Sequence, residues 1–143
     1  MTDALPGPVP IQNEPFNAET PIRLLDRAAT PLAQFYVRNH FPVPGLSTGP
    51  WRLAIDGAVA HPRALSLAEL RALPERTLSV TLECAGNGRS SLPPPPPGVR
   101  WGYGAVGSAR FTGTPLRQVL DAAAPAADVV EILCSGADAG TVD

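Results

Sequence analysis

The stretch Thr77-Leu78-Ser79-Val80-Thr81-Leu82-Glu83-Cys84-Ala85-Gly86-Asn87-Gly88-Arg89 decides the fold class and carries Cys84, the leading candidate for the chain's chemistry. Leu78, Val80 and Leu82 alternate with Ser79, Thr81 and Glu83. That period of two puts apolar groups on one side of a β-strand and polar groups on the other. The spacing predicts a strand over 77–83 with a buried apolar face, delivering Cys84 to its C-terminal end. Gly86, Asn87 and Gly88 can take positive φ, so a turn follows. Backbone amides in such a turn, together with the Arg89 cation, favour the thiolate, which is the nucleophile and soft metal ligand among protein sulfurs. The alternative is a structural cysteine sealed in the core.

Working outward, Trp51, Leu53 and Ile55 alternate with Arg52 and Asp56 and predict a half-buried strand ending at Gly57. Ser66-Leu67-Ala68-Glu69 fits a capping box, opening a short helix to about Leu73 that stops before Pro74. Thr114-Pro115 reads as N-cap and N1 of a helix through about Ala123. Val129–Leu133 predicts a third strand leading to Cys134, expected as a small core residue, and a Gly-rich turn. On the N-terminal side, residues 1–20 read as an extended arm, Thr30-Pro31 as the start of a helical turn, and Phe35–Phe41 as an extended segment broken by Pro42 and Pro44. Pro93–Pro97 predicts a stiff polyproline II loop, with a ligand for an SH3-like module as the other reading. Strands and short helices mix without regular βαβ alternation, so the expected class is α+β with mixed sheets.

The chain has 143 residues, one domain's worth, with 44% hydrophobic and 17% charged residues. All 11 basic residues are arginine, and the formal net charge of −2 argues against a nucleic-acid or membrane-surface role. No signal peptide or membrane span is visible, so the cytoplasm is the default compartment and the periplasm the other reading. Cys84 and Cys134 are too few for a disulfide framework. No Cys-x-x-Cys or His-x-x-x-His pair points to zinc. His40 and His61 lack a convincing context for a cysteine hydrolase's base, and no phosphate-cradling glycine motif is present. The chain stops at Asp143 just after the expected strand and turn, which reads as a domain incomplete at its C-terminus.

Three segments together resemble the molybdenum domain of the sulfite oxidase family. They are Phe-Tyr-Val-Arg-Asn-His-Phe-Pro-Val-Pro at 35–44, Leu-Glu-Cys-Ala-Gly-Asn-Gly-Arg at 82–89, and Trp101 followed by Gly104-Ala105-Val106-Gly107 and Phe111-x-Gly113-x-x-Leu116-x-x-Val119-Leu120. Pro15–Glu19 also fits, so residues 15–143 are expected to be the N-terminal portion of such a domain, preceded by an arm at 1–14. The resemblance implies a molybdenum–pyranopterin (molybdopterin) cofactor with Cys84 as the protein's ligand to the metal. It implies pterin contacts from Arg38, Asn39, His40 and Asp138, and a substrate pocket of Arg38, Arg89 and Trp101. The implied activity is oxidation of sulfite to sulfate, with electrons passing to a separate acceptor such as a cytochrome. A homodimer is implied only if a C-terminal domain exists. Gly88 departs from the pattern, since the animal and plant enzymes commonly carry arginine there. The competing readings are a nitrate reductase-like member of the same family and a fragment that binds no cofactor.

Overall fold

The computed structural model describes residues 7–45 and 50–141. The chain forms two compact units. The first gathers residues up to Pro44, Ser79–Arg110 and the residues from Asp138 on; the second gathers Gly45–Leu78 and Phe111–Ala137.

In the first unit, strands β1 (Val9–Gln12) and β2 (Asn17–Glu19) pair antiparallel, with an irregularity between Pro10 and Gln12. The expected extended arm is therefore extended and paired from Val9 onward. Val37 adds to the outer side of Ala18 by two backbone hydrogen bonds of 3.0 and 2.8 Å. The chain between takes two single 3₁₀ turns, Ile22–Leu24 and Leu32–Gln34, the second opened by Pro31 as the sequence leads one to expect. Ala18, Leu24, Trp101 and Ala105 are buried and form this unit's apolar centre.

Strands β5 (Arg76–Glu83) and β6 (Val106–Gly113) form a two-stranded ribbon. Hydroxyl pairs join Thr77 to Thr112 at 2.8 Å and Thr81 to Ser108 at 2.7 Å, so the register runs antiparallel. Cys84 N–H continues it, donating to the Ala105 carbonyl at 2.9 Å. β5 thus stands where the alternation placed it, but its apolar face is not buried: Leu82 is 42% and Leu78 59% exposed. In the register set by the hydroxyl pairs Leu78 lies opposite Phe111, itself 44% exposed, so these side chains share an open face with Leu82.

In the second unit, β3 (Arg52–Ile55) and β4 (Arg63–Ser66) pair antiparallel, from Arg52 opposite Ser66 to Ile55 opposite Arg63. Gly57 ends β3 at φ +86°. The Ser66 capping box has both arms: Ser66 Oγ accepts from Glu69 N–H at 3.2 Å, and Glu69 Oε2 accepts from Ser66 N–H at 2.8 Å. It opens α1 (Leu67–Arg71). These bonds hold the Glu69 carboxyl below the usual carboxylate range, with the Arg52 and Arg63 charges adding to the effect. Helix α2 (Leu116–Asp121) begins one residue later than the spacing predicts. Pro115 takes the N-cap with ψ 129°, and the Thr114 hydroxyl donates instead to the Leu70 carbonyl at 3.1 Å.

Three sequence expectations fail here. Residues 129–133 form no strand, and Val130 and Leu133 are more than 90% exposed, because no other described strand pairs with them. Cys134 is exposed rather than a core residue for the same reason. The proline run bends at residues 92–94 and 97–98 rather than continuing as one polyproline II rod.

Candidate functional site

The turn after β5 is pinned by Asn87. Its backbone N–H donates to the Cys84 carbonyl at 2.8 Å, its amide donates to Glu83 Oε1 at 2.9 Å, and its Oδ1 accepts from Ala105 N–H at 3.0 Å. One side chain therefore ties the end of β5 to the start of β6. Gly88, at φ +78°, continues into a 3₁₀ turn, Arg89–Ser91, and Ser90 N–H donates to the Trp101 carbonyl at 2.9 Å. The segment before Trp101 and the turn after Cys84 are thereby held side by side.

These elements wall a cavity of about 920 Å³ in the first unit. Cys84, Arg38, His40, Arg89 and Trp101 all line it, so the structure brings together five of the seven residues that the sequence singled out. Cys84 is half-buried and its Sγ accepts from Gly86 N–H at 3.5 Å, so the sulfur is not sealed in hydrocarbon. Arg38 Nη2 lies 3.3 Å from His40 Nδ1, which fixes the two side chains against each other. Trp101 is 1% exposed and meets the Tyr36 ring edge-on, with centroids 6.5 Å apart.

The other two residues lie elsewhere. Asn39 is turned toward the β1–β2 hairpin, where its amide donates to the Phe16 carbonyl at 2.7 Å and its N–H to the buried Asn17 side chain at 2.8 Å. Asp138 is exposed and is not part of the wall, which Thr141 reaches instead. Tyr36 does line the cavity and went unselected. The signal was available: residues 36, 38 and 40 share one side of an extended segment, and Asn39 falls on the other. Burial pushes the Tyr36 phenol above its ordinary range, and negative charge at Cys84 and Glu83 adds to that.

The wall carries two guanidinium groups and no Asp or Glu among the described residues, which suits an anion. Among the described residues no three His, Cys, Asp or Glu side chains converge on a possible metal position. A metal here would take one thiolate from the chain and bring its other ligands with it. That is the donor set of a metal carried in an organic cofactor, and the cavity is of ligand size.

Residues 40–143 match the family model described as the oxidoreductase molybdopterin binding domain. Sulfite oxidase of Gallus gallus is 45% identical over 111 residues, 75% of this chain and 24% of that protein. The NADPH nitrate reductase of Phytophthora infestans is 39% identical over 113 residues, 76% of this chain and 12% of that protein. The sulfane dehydrogenase SoxCD from Paracoccus pantotrophus superposes with a TM-score of 0.66 at 26% identity, over 87% of this chain and 31% of the matched one. The chain belongs to the oxidoreductase molybdopterin-binding family, with the α+β molybdenum-domain fold of the sulfite oxidases. It spans about a quarter of the length of the Gallus gallus relative.

Proposed function

We propose that this chain contributes the metal-binding wall of a molybdenum oxidoreductase that oxidises sulfite to sulfate. The observation that carries the reading is one accessible sulfur, Cys84, sharing a carboxylate-free cavity with Arg38 and Arg89. Cys84 would be the single protein ligand to the metal. Arg38 and His40 would hold the anionic end of the pterin, with Asn39 setting the strand that presents them and Asp138 a further pterin contact. The bound group would supply reversible two-electron chemistry and oxygen-atom transfer. Sulfite would gain one oxygen, drawn overall from water, and release two protons and two electrons to a separate acceptor such as a cytochrome.

The chain's own task is to draw a small doubly charged anion out of water. Arg38 and Arg89 offset that loss with charge-assisted hydrogen bonds. Trp101, buried in the same wall, would supply an apolar surface beside them. The nitrate reductase relative supports a second reading, since nitrate is also a small oxyanion. Metal analysis of the purified chain and turnover with sulfite and with nitrate test both. Molybdenum near one equivalent with sulfite turnover is expected. Nitrate turnover alone would move the assignment to the second reading, and absence of molybdenum would leave a piece that binds no cofactor.

A further inference from the structure

Arg89 lacks the side-chain polar contacts that hold three of the other arginines. Arg38 is paired with His40, Arg52 reaches the Ala64 carbonyl and Glu69, and Arg63 reaches the Ala122 carbonyl. Among the described residues no acceptor holds the Arg89 guanidinium. What locates it is shape. A Cβ added to Gly86 would lie 3.0 Å from Trp101 Cδ1, 3.1 Å from Arg89 Nη2 and 3.2 Å from Arg89 Cζ, and a Cβ added to Gly98 would collide with Arg89 Nη1. The guanidinium is thus bounded by two bare backbones, and both belong to the cavity wall.

We propose that Gly98 is a positioning residue whose missing side chain sets where the Arg89 charge lies in the cavity. The proposal rests on the reading of that cavity as an anion site. Gly98 has φ +106°, so its backbone also favours glycine. The run Pro93–Pro97 stands directly before it, and prolines with fixed φ leave the loop few ways to retreat from a new methyl group. The flexible end of Arg89 is what gives way.

The test uses the cofactor-free chain with Cys134→Ser, so that Cys84 is its one thiol and is free to react. The rates of alkylation by anionic iodoacetate and by neutral iodoacetamide are compared, and their ratio reports positive charge near the sulfur. The parent should favour iodoacetate. Gly98→Ala should change the ratio roughly fivefold, the size expected when one unit charge moves several ångströms in a half-open site. Gly57→Ala controls for backbone strain: its φ is +86° with nothing within 4 Å of an added Cβ, so the ratio should not change. Gly86→Ala, without positive φ, meets Trp101 as well as Arg89 and should change the ratio by a smaller factor. In an Arg89→Gln background Gly98→Ala should add nothing. An unchanged ratio in both Gly98→Ala and Gly86→Ala overturns the proposal, as does an added change from Gly98→Ala in the Arg89→Gln background. A parent with no preference for iodoacetate overturns the anion-site reading itself, and the proposal with it.

Discussion

Glu19 should control how firmly Trp101 is held, although it touches neither the sulfur nor the cavity. It closes β2, and its Oε1 accepts a short hydrogen bond from Gly102 N–H, next to Trp101. Gly104 is packed so tightly beside it that an added Cβ would lie 2.7 Å from Glu19 Cβ. A hydrogen bond to a charged acceptor contributes about 1.5–3 kcal/mol, and Glu19 is only half-buried, so Glu19→Ala should cost about 2 kcal/mol. Glu19→Gln keeps an acceptor oxygen and loses the charge, so it should cost about half as much. Urea unfolding followed by Trp101 fluorescence, in a Trp51→Phe background, measures both. Acrylamide quenching gives a second readout: Trp101 is 1% exposed and should become quenchable in Glu19→Ala before the chain unfolds. A cost below about 0.5 kcal/mol, the scatter of ordinary surface substitutions, would refute this role for Glu19, as would equal costs for the two variants.

Cys84→Ala should abolish sulfite turnover even if the cofactor is retained, and should bring Tyr36 ionisation down toward the ordinary tyrosine range by removing one of its causes; ultraviolet titration checks the latter. Arg89→Gln should raise the Michaelis constant for sulfite more than it lowers the turnover number, and an unchanged constant would remove Arg89 from the pocket. Because Glu69 titrates below its ordinary range when folded, the capping box stabilises α1 above that range and the contribution is lost as pH falls through the lowered value; Glu69→Gln should flatten the acid limb of the stability profile. The Thr20 hydroxyl is buried with no partner among the described residues, so Thr20→Val should stabilise the chain by about 1 kcal/mol, and destabilisation would mean that the hydroxyl is paired.

Local rules in the sequence were obeyed where the chain alone satisfies them. The capping box needs only Ser66 and Glu69, and both bonds formed. The β5 alternation needs only backbone geometry, and the strand stands where it was placed, with Cys84 at its end. What periodicity does not carry is the identity of the partner. Val129–Leu133 has the composition of a strand, but a strand is stabilised by its ladder and the described chain offers it none. The same gap explains the exposed Leu78 and Leu82: alternation names a face without naming its cover. Within the candidate site, motif position picked Asn39 where strand geometry picks Tyr36. A contiguous motif cannot turn all its side chains one way in extended backbone.

The cavity is built by making its polar residues specialise. Asn17, Asn39 and Asn87 spend their hydrogen bonds on backbone groups and, at Asn87, on the Glu83 carboxylate as well, fixing the hairpin, the 35–41 segment and the turn after β5. None of the three lines the wall. The wall's charged groups and soft donor are Arg38, Arg89, His40 and the Cys84 sulfur, beside Gln12, Tyr36 and Thr141. Neutral amides saturate locally and are inexpensive to bury when paired, whereas a guanidinium is stabilised most by an anion. Filling the wall with paired amides would have made a stable unit without a site. On the proposed reading the inward charges give a site whose most favourable state has an anion bound, so anion binding and stability should rise together in this unit. Sulfate added at constant ionic strength should therefore raise the unfolding midpoint of the parent chain and do so less for Arg38→Gln or Arg89→Gln, whereas equal gains in all three would place the anion's effect elsewhere.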